Sequence, residues 1–155
     1  MNSVFNTIKQ TRANFINLID DFSLDNVTKI PHGFKNSILW NFGHCIATQQ
    51  VLCYELSAIP FSIPEEIVKN YRKGTSPLLN VAAADIDQLK ILAQTSLESL
   101  KNDYTLNNFF ANFKGYQTSY GVYLASIEEV ITFMSVHEGL HLGYAMAQKR
   151  TILSE

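Results

Sequence analysis

Three histidines occupy positions where an aliphatic side chain would be expected. His44 shares a helical stripe with Trp40, Ala47, Val51 and Tyr54, and His137 and His141 share one with Ile127, Val130, Met134 and Tyr144. Residues four apart on a helix have Cβ atoms about 5–6 Å apart on one face, so His137 and His141 can offer two ligands to one ion. A neutral imidazole in an apolar seam needs a partner for each ring nitrogen, or it costs free energy. One divalent transition metal answers that need for all three. Three imidazoles also leave a fourth coordination position for water or substrate, the pattern of catalytic rather than closed structural sites. The plainer reading is a pair of partly exposed histidines bonded to neighbours; a third histidine on a separate seam weighs towards the metal. His32, between Pro31 and Gly33, reads as a surface residue.

The same segment, His137-Glu138-Gly139-Leu140-His141, is formally H-E-x-x-H, the zinc-peptidase helix in which the glutamate is the general base. Only 14 residues follow His141, which leaves little room for a downstream third ligand, and Gly143 comes one residue too early for the longer form of the motif. A peptidase is therefore a remote alternative. Glu138 remains the one weak candidate for a catalytic base beside a metal-bound water, against the simpler reading of a solvated side chain about 100° around the helix from His137.

The elements that must position these residues are helical. Val4, Ile8, Thr11, Phe15, Leu18 and Phe22 alternate at steps of four and three on a first helix that frays at Asp20, Asp21 and Ser23. Lys29 to Gly33 reads as a turn-rich connector. A second helix is predicted from near Ser37 to near Ser57. Residues 58–84, with Pro60, Pro64, Gly74 and Pro77, read as a long crossover containing a short helix from Pro64 to Tyr71. A third helix carries Ile86, Leu89, Ala93, Leu97, Leu100 and Tyr104. The fourth starts at Ser126, which with Glu129 makes a capping box, and ends near Lys149 and Arg150. Such helices predict an all-α fold, a four-helix bundle in a single domain over 1–155; a crossover of that length permits helices two and three to run parallel.

Between helices three and four, residues 104–123 crowd seven aromatics: Tyr104, Phe109, Phe110, Phe113, Tyr116, Tyr120 and Tyr123. They read first as a lid that plugs the bundle and second as a pocket wall or dimer surface. Trp40, one turn before His44, is a candidate to line the same cavity. Thr118 and Ser119 add hydroxyls without forming a nucleophile with any base.

Composition narrows the function classes. The chain is 46% hydrophobic and 17% charged with a net charge of -2, ordinary for a globular protein, and its basic residues are scattered, so neither nucleic acid nor an anionic membrane is an expected partner. No stretch approaches the ~18 apolar residues of a spanning helix, and no basic start followed by an apolar run suggests a secretory signal. Cys45 and Cys53, about 12 Å apart along one helix, are too far apart to bridge and read as packing thiols in a reducing cytoplasm. Glycine-rich phosphate loops are absent, so ATP and NAD are not expected.

Two segments resemble a known family. Ser37-Ile38-Leu39-Trp40-Asn41-Phe42-Gly43-His44-Cys45-Ile46-Ala47 is similar to the second-helix signature of the DinB/YfiT-like superfamily, and His137-Glu138-Gly139-Leu140-His141-Leu142-Gly143 to its last-helix H-x-x-x-H-x-G segment. The resemblance implies an up-down-down-up four-helix bundle, often a homodimer, with Zn²⁺ or Ni²⁺ on His44, His137 and His141. It implies thiol-dependent transfer to an electrophile or metal-assisted hydrolysis on a small-molecule substrate, with a low-molecular-weight thiol as co-substrate. A metal-containing binding or structural protein without turnover is the alternative. Tyr144 stands where the family often has glutamine; it is kept as a second pocket-lining candidate.

Overall fold

The computed structural model describes residues 1–155. Six helices account for most of the chain: α1 (Asn2–Asp20), α2 (Leu24–Thr28), α3 (Ile38–Gln49), α4 (Glu65–Tyr71), α5 (Ala83–Thr105) and α6 (Ile127–Ser154). The one sheet is an antiparallel ribbon of β1 (Tyr116–Gln117) and β2 (Tyr123–Leu124), with Tyr116 opposite Leu124. Beyond Gln49, α3 continues as a widened π turn over Gln50–Tyr54 and a 3-10 turn over Glu55–Ser57, and ends at Ala58 in a left-handed conformation with φ of 56°.

Local chemistry explains the starts of these helices. Ser37 Oγ accepts from the Trp40 N–H at 3.2 Å and opens α3, and Ser126 Oγ accepts from the Glu129 N–H at 3.3 Å and opens α6. The Glu129 carboxylate reaches back to the N–H of Ala125 rather than of Ser126, at 2.7 Å, so the expected box closes one residue early. The one helix the sequence reading passes over is α2. Ser23, expected to mark the fraying of α1, instead caps α2 through the Asn26 N–H, and Val27 anchors that short helix in the core.

The seams differ from expectation by one position. On α1 the buried line is Phe5, Ile8, Arg12, Phe15 and Leu18, with Arg12 where Thr11 was expected. On α6 it is Val130, Ile131, Met134, Glu138, Ala145, Gln148 and Ile152. The histidines of α6 therefore flank the core instead of lying in it. A helix position admits a charged residue to the core only if a partner waits there, and Arg12 and Glu138 are each other's partners. Arg12 is 2% exposed and Glu138 1%. Arg12 Nη2 donates to Glu138 Oε1 at 2.6 Å, and Nε lies 3.1 Å from Oε2. The remaining donors reach the Ala93 carbonyl at 2.7 Å, Ser96 Oγ at 3.3 Å and Gln49 Oε1 at 2.9 Å. Gln49 Nε2 in turn donates to the Ser96 carbonyl at 2.8 Å. One polar layer thus ties α1, α3, α5 and α6. It separates an apolar cluster containing Phe15, Phe42, Ile46 and Leu89 from a second containing Phe5, Ile8, Leu100 and Met134.

Burial acts to lower the Arg12 pKa, but Glu138 outweighs it and the guanidinium pKa is raised. Removing one partner strands the other charge in the core. Arg12→Met is expected to cost about 3–5 kcal/mol in urea unfolding, whereas the Arg12→Met/Glu138→Leu double variant recovers most of that loss. A single variant as stable as wild type would show that the layer does not govern the packing.

Candidate metal centre

His44 sits on the middle turns of α3, a helix buried on nearly every side. Its ring is fixed from two directions. Trp40, one turn earlier, stacks on it with centroids 4.6 Å apart and planes 8° from parallel, and Trp40 Nε1 donates to Thr75 Oγ1 at 3.0 Å. On the other side, His44 Nδ1 lies 2.8 Å from the carbonyl oxygen of Tyr71, the last residue of α4. A carbonyl can only accept, so Nδ1 carries the proton and Nε2 keeps its lone pair. Thr48 Oγ1 is 3.3 Å from that Nε2.

The Tyr71 contact depends on Gly43. A Cβ at position 43 would lie 2.4 Å from Tyr71 Cδ1, so the absence of a side chain lets the tyrosine ring lie on α3 and brings its carbonyl to His44.

His141 is held by the same device. Its Nδ1 is 2.8 Å from Asn41 Oδ1. The Asn41 amide is oriented by its nitrogen, which donates to the Ser37 carbonyl at 2.9 Å and to Gln148 Oε1 at 3.0 Å. Asn41 must therefore present oxygen to His141, which puts the imidazole proton on Nδ1 and frees Nε2. His137 differs: its Nδ1 is buried and has no hydrogen-bond partner. Such an orphaned atom is costly and calls for an explanation.

The three rings meet. Centroids are 5.3 Å apart for His44 and His137, 4.8 Å for His44 and His141, and 4.5 Å for His137 and His141. One nitrogen from each lies within 4.8 Å of the other two. Ligand nitrogens on a tetrahedral ion at ~2.0–2.1 Å are about 3.3 Å apart, a separation of the same order. Burial first, and then the neighbouring histidines, pushes the His137 pKa down to about 3 and that of His141 to about 4. Burial also lowers the pKa of His44, against the pull of the Tyr71 carbonyl. All three imidazoles are neutral at neutral pH, the form in which histidine binds metal. The donor set fits one divalent ion.

A cavity of about 530 Å³ opens beside the cluster, with His44 and His137 on its wall. The π and 3-10 turns of the α3 extension supply Val51, Leu52, Glu55 and Leu56, and the ribbon segment supplies Tyr116, Thr118 and Ser119. Of the crowded aromatics, Phe110 goes into the core against Tyr54 and Tyr116 joins the pocket wall, while Tyr120 and Tyr123 are exposed. Plug and wall are thus different residues of one segment.

The structure places the remaining candidates away from the cavity. Glu138 is no solvated side chain, and its carboxylate is turned to Arg12, which leaves no free base on the H-E-x-x-H helix. Trp40 backs His44 from behind and does not line the cavity. Tyr144 is partly exposed and packs edge-on against Phe34 at 5.0 Å, away from the cavity wall. Sequence reasoning gave no role to Asn41, Tyr71 or Gln148. Asn41, one turn before His44, was legible as a buried amide in need of partners, but a carbonyl such as that of Tyr71 leaves no trace in residue type.

A helical protein that carries three neutral histidines on two helices beside a cavity defines the class. Residues 7–145 match the DinB superfamily, and the chain belongs to it. None of the curated proteins matches the chain.

Gly43→Ala is expected to push the Tyr71 ring off α3, to lower stability by about 1–3 kcal/mol, and to weaken zinc affinity about tenfold in chelator competition by releasing His44. Wild-type values for both would remove Gly43 from the site. The metal-free protein carries a pH signature. Folded-state pKa values below the ordinary ~6.5 mean that the unfolded chain takes up protons first. Stability is therefore complete above about pH 6.5 and is lost as pH falls towards 4. Unfolding midpoints across that range should decline in wild type and decline less in a His137→Gln/His141→Gln variant.

Proposed function

We propose that the protein is a metal-dependent enzyme that uses His44, His137 and His141 to hold one divalent ion, Zn²⁺ or Ni²⁺, and acts on a thiol or water as a transferase or hydrolase. One observation carries the reading. The protein binds Nδ1 of His44 and of His141 through amide and carbonyl oxygens, which leaves a lone pair on each Nε2, that of His44 met only by the Thr48 hydroxyl at 3.3 Å, while His137 keeps a buried nitrogen with no protein partner. Side chains fixed through their outer nitrogens are how proteins orient metal-binding imidazoles. When bound, such an ion lowers the pKa of a thiol or water at its open position. The chain itself orients the ligands, keeps them neutral and shapes the cavity that admits the substrate.

A non-catalytic metal protein is the second reading, and the cavity at the histidines weighs against it, since a closed structural site has no use for one. The peptidase reading loses its base with Glu138 in its ion pair. The helix order we propose for α1, α3, α5 and α6 is the up-down-down-up bundle, supported by the long connection that carries α4. A homodimer is supported by Val136, Leu140 and Tyr144, exposed at four-residue steps along α6.

Elemental analysis of the purified chain tests the metal. About one divalent ion per chain is expected, lost in His44→Ala. Adding Zn²⁺ or Ni²⁺ at ~100 times Kd should stabilise the metal-free wild type by about 2.7 kcal/mol, a rise in Tm of roughly 5–10 °C. A wild type that neither retains an ion nor gains stability from one would overturn the proposal.

A further inference from the structure

The cavity has a charge pattern that the reaction class alone does not explain. Its wall carries three charged side chains, Glu55, Arg72 and Lys73. Arg72 Nη2 is paired with Glu55 Oε2 at 3.1 Å, so those two charges cancel. Lys73 is exposed to solvent and has no carboxylate within ion-pair distance. The histidines add no negative charge: the cluster contains three imidazoles and no carboxylate, so a divalent ion held there keeps its full charge. The unpaired charge on the wall is therefore the positive one of Lys73, and a divalent ion on the neutral histidines would add to it, although the chain as a whole has a net charge of -2. The rest of the wall mixes apolar Val51, Leu52, Leu56 and Phe133 with the hydroxyls of Thr48, Thr118 and Ser119.

From this pattern we propose that the cavity selects a small molecule with an anionic group, a carboxylate or its equivalent, which Lys73 binds while the reactive end lies at the histidines. The inference rests on the metal-site reading and names its substrate class. Lys73 is the specificity-determining residue. Lys73 lies just past the residue that closes α4, two positions after Tyr71, so the backbone that anchors His44 also places the ammonium. Its placement in the loop leaves it free to swing onto a ligand without breaking an existing pair.

The test uses cobalt-substituted protein and two thiols of equal length, 3-mercaptopropionate and its neutral amide, titrated against the sulfur-to-cobalt absorption band. Wild type should prefer the anion, and Lys73→Met should reduce that preference about fivefold at low salt, the upper end for a single solvent-exposed ion pair. Lys73→Arg should keep it, and higher ionic strength should narrow it. Equal affinities in wild type, or a preference that Lys73→Met leaves unchanged, overturn the inference while the metal and thiol reading stands. If neither thiol perturbs the band although cobalt is bound, the thiol reading and this inference fall together.

Discussion

The buried pair of Arg12 and Glu138 is the constraint around which the rest of the molecule is arranged. An ion pair in a protein interior is weak evidence for net stability, because desolvation offsets most of the attraction. Its effect is on arrangement. The guanidinium offers donors in a fixed plane, and each finds an acceptor on a different helix: Glu138 on α6, Gln49 on α3, and Ala93 with Ser96 on α5. Sliding any of these helices by one residue would leave a donor or a carboxylate oxygen unpaired in an apolar surround. Apolar contacts above and below the layer tolerate small shifts; the layer does not.

The histidine cluster inherits its geometry from this constraint. Glu138 must point to Arg12, and the helical turn then leaves its neighbours on either side, His137 and His141, at the edge of the core facing α3. There they meet His44, whose own helix is set by Gln49 in the same layer. The amides of Asn41 and Gln148 carry the alignment further along α6. The adjacent positions 137 and 138 therefore have unlike tasks, one to face a ligand and one to fix the angle at which its neighbour does so.

The long helices were readable because their apolar residues recur every three to four positions, and the three histidines stood out against that pattern. What misled was the assumption that a seam is apolar. Thr11 and His137 looked like better seam members than Arg12 and Glu138, since a buried charge is credible only when its partner, 126 positions away, is seen in place. The α2 turn escaped because five residues carry too little periodicity to register, and Ser23 is as consistent with an ending as with a cap. Of the cavity, only the aromatic segment was legible, and of its aromatics Tyr116 reaches the wall. That wall is assembled from α3 and its extension, the loop after α4, the ribbon and α6, segments that share no pattern in sequence.

The two cysteines acquire a different meaning once they are placed. Both are buried, and burial pushes both thiol pKa values up, Cys45 well above the ordinary range. Cys53 directs its sulfur at Met134, 3.8 Å away, inside the second apolar cluster. Exchange with an oxidised small thiol, or alkylation by an electrophile, requires a thiolate that can be reached. These sulfurs satisfy neither condition. The cysteine content of the chain is consequently mute about its redox surroundings, and neither sulfur is placed to react with an exogenous thiol or electrophile.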